Sequence, residues 1–294
     1  MSTMNNTAKK NAPNTRRVLV NVLVHVFLAV LAAIWVLPIF WIILTSFRKE
    51  QGSYVSTFFP KGYTINNYVK LFTDKNILNF PKMFTNTLII AIFTCLIATF
   101  FVMSVGYSLS RMRFKFRKPY MNIAMILGLF PGFMAMIAQY YLLKTMGLTE
   151  GSWIRLALII AYTATTELGF QIVKGYFDTI PKSIDEAAII DGASQWQVFT
   201  KITLPLAKPI LIYTVLTSFM SPWVDFIFAR VICRANAGQY TVAIGLWNML
   251  QKEYITQWYT CFAAGAVVVS IPIAILFVFT QKYYVEGMAG AVKG

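Results

Sequence analysis

The chain has 294 residues, of which 57% are hydrophobic and only 13% charged, with a formal net charge of +15. A soluble domain carries about 25% charged residues, and several apolar runs here reach the roughly 20 residues that cross a bilayer as a helix, so a soluble globular class is excluded. The positive balance reads as Lys and Arg flanking spans on the cytoplasmic side, rather than as a nucleic-acid footprint.

Residues 1–17 are polar, with Lys9, Lys10, Arg16 and Arg17, and read as a cytoplasmic disordered tail. The first apolar run, about Val18 to Phe47, follows that basic stretch as a signal peptide would. It is too long for one and lacks a small-residue cleavage site, so it reads as a retained first span. His25, the sole histidine, lies within it and reads as a packing or snorkelling residue. Arg48 to Lys82 is a mixed, aromatic-rich connection outside the bilayer, and the first span with this connection makes a unit over 18–83. A second span covers about Phe84 to Leu109. The connection from Arg111 to Pro119 then carries five positive charges and no acid, the strongest cytoplasmic signal in the chain.

The third span, about Tyr120 to Leu143, holds Gly128, Pro131 and Gly132, which predict a bent helix buried in a bundle. A short external turn, Lys144 to Ser152, leads to a fourth span from Trp153 to Val173. Glu167 lies inside that span, and an intramembrane carboxylate is a candidate pathway residue. The alternative is a structural carboxylate solvated by Thr163, Thr165, Thr166 and Gln171. A fifth span, Ile210 to Cys233, contains Pro222, Asp225 and Arg230. The two charges are five apart, poorly placed for a same-face pair, and mark the outer end of the span, with Asp225 a further pathway candidate. Arg234 to Trp258 reads as an external loop anchored by Trp247, Tyr254 and Trp258. The sixth span covers Tyr259 to Thr280, and 284–294 is a cytoplasmic tail. Cys95, Cys233 and Cys261 are scattered singly, without metal or redox spacing, and read as packing residues.

The expected fold is therefore an all-α polytopic membrane protein, with six transmembrane helices and both termini cytoplasmic. No phosphate-binding loop, HExxH, GxSxG or Cys/His cluster is present, so no ATP hydrolysis, no catalytic residue and no bound metal or cofactor is expected of this chain. One polar stretch interrupts the second half, Ser183 to Pro209. Ser183 with Glu186 has the spacing of a capping box, placing Asp185 and Glu186 at the positive end of a short helix that Gly192 stops as a left-handed residue. A second amphipathic helix follows, with Trp196, Phe199 and Ile202 inward, ended by Leu204-Pro205. The residues alone leave two readings open: a docking surface for another protein, or a helix pair lying on lipid headgroups.

Glu186-Ala187-Ala188, Asp191-Gly192-Ala193, Phe199, Ile202, Leu204-Pro205 and Pro209 resemble, without gaps, the EAA loop of binding-protein-dependent ABC importer permeases. The segments Lys174 to Pro181 and Tyr284 to Gly294 resemble the carbohydrate branch, in particular the maltose-type G subunits. The conserved core of that family corresponds to 84–283. The resemblance implies a type I importer permease in the cell membrane, a multi-pass subunit that translocates an oligosaccharide of maltodextrin or galacto-oligosaccharide kind. Implied partners are a second homologous permease, two cytoplasmic ATPases that hold ATP and Mg, and an extracytoplasmic solute-binding protein facing the 234–258 loop. It implies ATPase coupling by Glu186, Ala187, Ala188, Asp191, Gly192, Ala193, Leu204 and Pro205, and a second ATPase contact by Gly287, Gly290, Lys293 and Gly294. Glu167 departs from a fourth span that is usually apolar. The competing class is an ATP-independent secondary transporter or channel, with Glu167, Asp225 and Arg230 as pathway charges.

Overall fold

The computed structural model describes residues 15–52, 57–75, 78–129, 131–164 and 167–291, and side chains throughout these except at 15–17, 167–168 and 284–291. The tail expected over 1–17 lies largely outside the described residues, which begin with helix α1, Thr15–Ser46. The remaining long elements are α3 (Phe80–Arg111), α4 (Arg117–Gly128), α5 (Gly132–Thr145), α6 (Trp153–Ala164), α7 (Glu167–Thr179), α11 (Lys208–Val224) and α14 (Ile255–Ala291), with short helices between them. Among the described residues, β pairing is confined to one bridge between Arg48 and Tyr63.

Three helical stretches are long and apolar enough to span a bilayer unbroken: Val18–Ser46, Phe80–Arg111 and Ile255–Tyr283. Among the described residues, three further helix pairs meet the same length and composition only when each bent pair is taken together as one span. The expected third span is bent as predicted, into α4 and α5 turned by 105°, but it is not buried in the bundle: α4 has no buried residue and α5 only Met136 and Leu143. The break comes at Pro131, which caps α5, has no N–H to continue a ladder, and sterically opposes the helix before it. The fourth span is α6 and α7, bent by 42°. The fifth is shorter than expected: α11 stops at Val224, the backbone extends at Asp225, and α12 (Ile227–Cys233) restarts separately. At the C-terminus α14 continues helically to Ala291, past residue 284 where the tail was expected to begin.

The interior is two clusters, one at each end of the bundle. At one end Phe80 and Met83 of α3 pack with Leu71 of α2 (Asn66–Thr73), Ile154 and Leu158 of α6, and Trp258 of α14. At the other, Met103 and Tyr107 of α3 meet Val173 and Phe177 of α7, with Phe199 and Ile210. Lipid tails are as apolar as these side chains, so inside the bilayer close packing, not water exclusion, holds the helices together. Gly106 shows the requirement: a Cβ there would stand 2.6 Å from Val173 Cγ1 and 3.3 Å from the Lys174 backbone N. By contrast, none of the most apolar stretch of α1 is buried, as befits a helix facing lipid or another subunit.

The expected external loop 234–258 is folded into the first cluster. Its helix α13 (Val242–Met249) has Val242, Ile244 and Met249 wholly buried. Asn86 of α3 donates to the Gly238 and Tyr240 carbonyls at 3.1 and 3.2 Å, and Val242 N donates to Thr87 Oγ1 at 2.8 Å. Trp258, expected as an interfacial anchor, is fully buried beneath the Lys70 ammonium, 4.6 Å from its ring. The reason is its place in the first turn of α14, facing α2 rather than a headgroup layer.

Candidate functional site

The polar stretch 183–209 gathers at the end of the bundle where α3 and α7 terminate. Helix α8, Lys182–Ile190, starts two residues earlier than the capping-box reading predicts. Pro181 is its N-cap, with φ −56° and no side-chain cap bond, and its carbonyl accepts from Ile184 N at 3.3 Å. Ser183 is thereby inside the helix and exposed. The capping box is instead at the next helix: Ser194 Oγ accepts from Gln197 N at 3.3 Å while Gln197 Oε1 accepts from Ser194 N at 2.8 Å.

The end of α8 follows the expectation. Gly192 has φ +85°, a region costly for residues bearing Cβ. Ala193 N donates to Ala188 O at 2.9 Å and Gly192 N to Ile189 O at 3.0 Å, the paired bonds of a Schellman end. The following rod is α9 (Gln195–Gln197), a π-helical turn over Val198–Thr203, and α10 (Leu204–Leu206). The wider π winding changes the inward face from the predicted one. Val198, Phe199 and Thr203 are buried, Ile202 is half-buried, and Trp196 is 61% exposed. Phe199 lies 4.8 Å from the Tyr107 ring. Leu204-Pro205 does not end the rod. The chain turns at Ala207 (φ −97°, ψ 21°), giving an 86° bend into α11, with Pro209 in the first turn of that helix.

Two carboxylates tie these pieces to the bundle. Asp185 is buried, with Arg111 Nε 2.8 Å from its Oδ2 and Thr203 Oγ1 donating to its Oδ1 at 3.3 Å. Arg111 Nη2 also donates to the Ile180 carbonyl at 2.9 Å. One residue earlier on α3, Ser110 Oγ donates to Asp178 Oδ1 at 2.6 Å, and Lys174 Nζ meets Asp178 Oδ2 at 2.6 Å. The sequence placed Asp185 at an exposed helix start and read Arg111 only as topological charge. Asp178 drew no attention because an acid four residues after Lys174 is ordinary on a helix.

What remains outward is the other face of α8. Glu186, Ala187, Asp191 and Gly192 are exposed, Ala188 is buried, and Ala193 is half-buried. Ile189 and Ile190 are 45% and 86% exposed, an apolar surface beside an acid, left uncovered among the described residues. Leu204 is half-buried and Pro205 exposed on the adjoining rod.

The other candidates lie elsewhere. Gly287 and Gly290 are in the last turns of α14, while Lys293 and Gly294 fall outside the described residues. Glu167 opens α7, but its side chain also lies outside them. Asp225 is at the opposite end of the bundle, where its carboxylate accepts from Tyr162 OH at 2.7 Å and from the backbone N–H groups of Phe228 and Ala229 at 3.2 and 3.0 Å. That is the position of a helix-start acceptor for α12. Arg230 stacks on Tyr240 at 5.1 Å and, with Arg234, lines a cavity of about 530 Å³ at this same end.

A family model described as "Binding-protein-dependent transport system inner membrane component" matches residues 103–289. The chain is 34% identical over 271 residues to the galactooligosaccharides transport system permease protein GanQ of Bacillus subtilis (strain 168), a match covering 92% of this chain and 94% of that one. It is 33% identical over 282 residues to the maltodextrin transport system permease protein MdxG of the same organism, covering 96% and 99%. In three dimensions it resembles a chain of a bacterial ABC transporter involved in the import of the acidic polysaccharide alginate. The TM-score is 0.72 at 23% identity, covering 93% of this chain and 99% of that one, a likeness of fold.

Proposed function

The chain belongs to the family of inner-membrane components of binding-protein-dependent transport systems, and from that premise we propose that it is the permease subunit through which an oligosaccharide of maltodextrin or galacto-oligosaccharide type is imported. ATP hydrolysis lies on separate subunits of such importers, and the ATP-independent carrier reading is not favoured. The partner ATPases hold ATP and Mg, a second permease completes the pathway, and an extracytoplasmic solute-binding protein delivers the sugar. Both termini and the Arg111 to Pro119 connection face the cytoplasm, in keeping with the five positive charges of that connection and the positive-inside rule.

The observation that carries the reading is the outward face of α8. A short helix presents Glu186, Ala187, Ile189 and Ile190 away from its own bundle, at the end where the basic connection leaves α3. Small Ala side chains allow close approach of a second protein, the two isoleucines supply apolar contact, and Glu186 supplies a charge for a basic group of the ATPase. Headgroup burial of the same helix is disfavoured by that acid beside the apolar pair. The last turns of α14, with Gly287 and Gly290, offer a second contact. A cysteine at Ala187 should crosslink to the co-expressed ATPase with an efficiency that depends on nucleotide. Absence of crosslinking in every nucleotide state would refute the docking role. Competition by maltodextrins and galacto-oligosaccharides against labelled uptake separates the two sugar classes.

A further inference from the structure

Given that α8 docks to the ATPase, something must make the rest of the permease follow it. Apolar packing is poorly suited to that task here. Of nine residues in α8 only Asp185 and Ala188 are buried, and an Ala side chain offers little contact area. What does hold α8 is one carboxylate and the guanidinium of Arg111. We infer that Arg111 is the positioning residue that makes a push on α8 turn α3 and α7 with it, rather than α8 alone.

The geometry supports this role in three ways. Arg111 reaches both sides of the hinge into α8, with Nε at the Asp185 carboxylate and Nη2 on the carbonyl of Ile180, just before Pro181. Thr203 joins the same carboxylate from the π-helical turn, so α8 and the rod behind it share one anchor. Next to it, Ser110 and Lys174 hold Asp178, locking the last turn of α3 to α7. Side-chain exposure is 5% for Arg111 and 10% for Asp185. The Nε–Oδ2 approach is a charge contact without hydrogen-bond alignment, and Nη1 is buried without an acceptor. The net stability of such a buried pair is small, but removing one partner strands the charge of the other, so within this proposal only the arrangement that keeps Arg111 and Asp185 together satisfies both. A clamp that sets orientation more than stability is what transmission of movement requires.

The test uses the whole importer, both permeases with ATPases and binding protein, in proteoliposomes, and reads sugar transported per ATP hydrolysed. Arg111→Gln and Asp185→Asn should leave the ATPases co-purifying and hydrolysing ATP, with transport per ATP lowered about tenfold, the effect of a 1.4 kcal/mol bias. Arg111→Asp combined with Asp185→Arg should recover part of that ratio. Arg111→Lys keeps the charge but not the two-sided reach and should fall between. If the variants reduce the amount of complex while the ratio stays at the wild-type value, Arg111 is merely structural and the inference is overturned. An unchanged ratio in well-assembled complexes overturns it equally. Glu186→Lys distinguishes the underlying docking reading: it should remove ATPase association itself, whereas the Arg111 variants should not.

Discussion

Replacing Gly192 isolates the energetics of the elbow after α8 from everything around it. The residue has φ +85°, and a Cβ built on it meets nothing within 4 Å, so substitution introduces backbone strain without a packing clash. For an ordinary L-residue the left-handed conformation costs roughly 1–2 kcal/mol, more for a β-branched one, while Asn adopts it most readily. The chain can escape that strain by fraying the helix end. It then gives up the Ala193 N to Ala188 O and Gly192 N to Ile189 O bonds, each worth about 1 kcal/mol net. The penalty therefore saturates near 2 kcal/mol, and about 1.4 kcal/mol already disfavours the docking geometry tenfold relative to its alternatives. Initial uptake rates in proteoliposomes should rank Gly192, then Gly192→Asn, Gly192→Ala and Gly192→Val. The melting temperature of the permease should fall in the same order, but by no more than about 2–4 °C per kcal/mol, because fraying of the exposed helix end caps the cost. Wild-type uptake in Gly192→Val, or no advantage of Asn over Val, would refute the reasoning.

Gly106→Ala should destabilise the permease by about 1–3 kcal/mol through overpacking, because the obstructing atoms include the Lys174 backbone N. Thermal unfolding in detergent measures it, and Val173→Ala in the same chain should restore part of the loss. Tyr162→Phe should cost about 1 kcal/mol by removing one donor to Asp225. Asp225→Ala should cost more, since it leaves two backbone N–H groups of α12 without their acceptor. If Asp225 acts as a cap, uptake per correctly folded molecule is retained; loss of uptake at unchanged melting temperature would instead make it a pathway charge. Asn86→Leu should loosen the segment before α13, because two carbonyls lose their donor, and faster hydrogen exchange over 237–245 is the readout. Protection equal to wild type there would show that the apolar contacts of Val242 and Ile244 suffice.

Much of the molecule was legible from local patterns. The long apolar runs identify their solvent, because a bilayer-length stretch with few charges has no soluble alternative. The end of α8 at Gly192 was readable for the same kind of reason: a left-handed residue needs no information beyond its own missing Cβ. The start of α8 was not, since two competing caps were within a turn of each other, and the choice of Pro181 over Ser183 depends on how the preceding α7 delivers the chain. Trp196 was misplaced because an ordinary helical period was applied where the backbone winds as a π-helix.

The sequence by itself determined the class of protein, the position of its polar elbow and, through the EAA-like residues, the family. Each of these is set by composition or by neighbours along the chain. Only the tertiary structure decided that 234–258 folds into the core, that Asp225 caps α12, and that Arg111 rather than helix charge is the partner of Asp185. Those outcomes depend on which helices cross and at what distance, and charged residues on separate helices carry no mark in sequence of the partner that packing will bring to them.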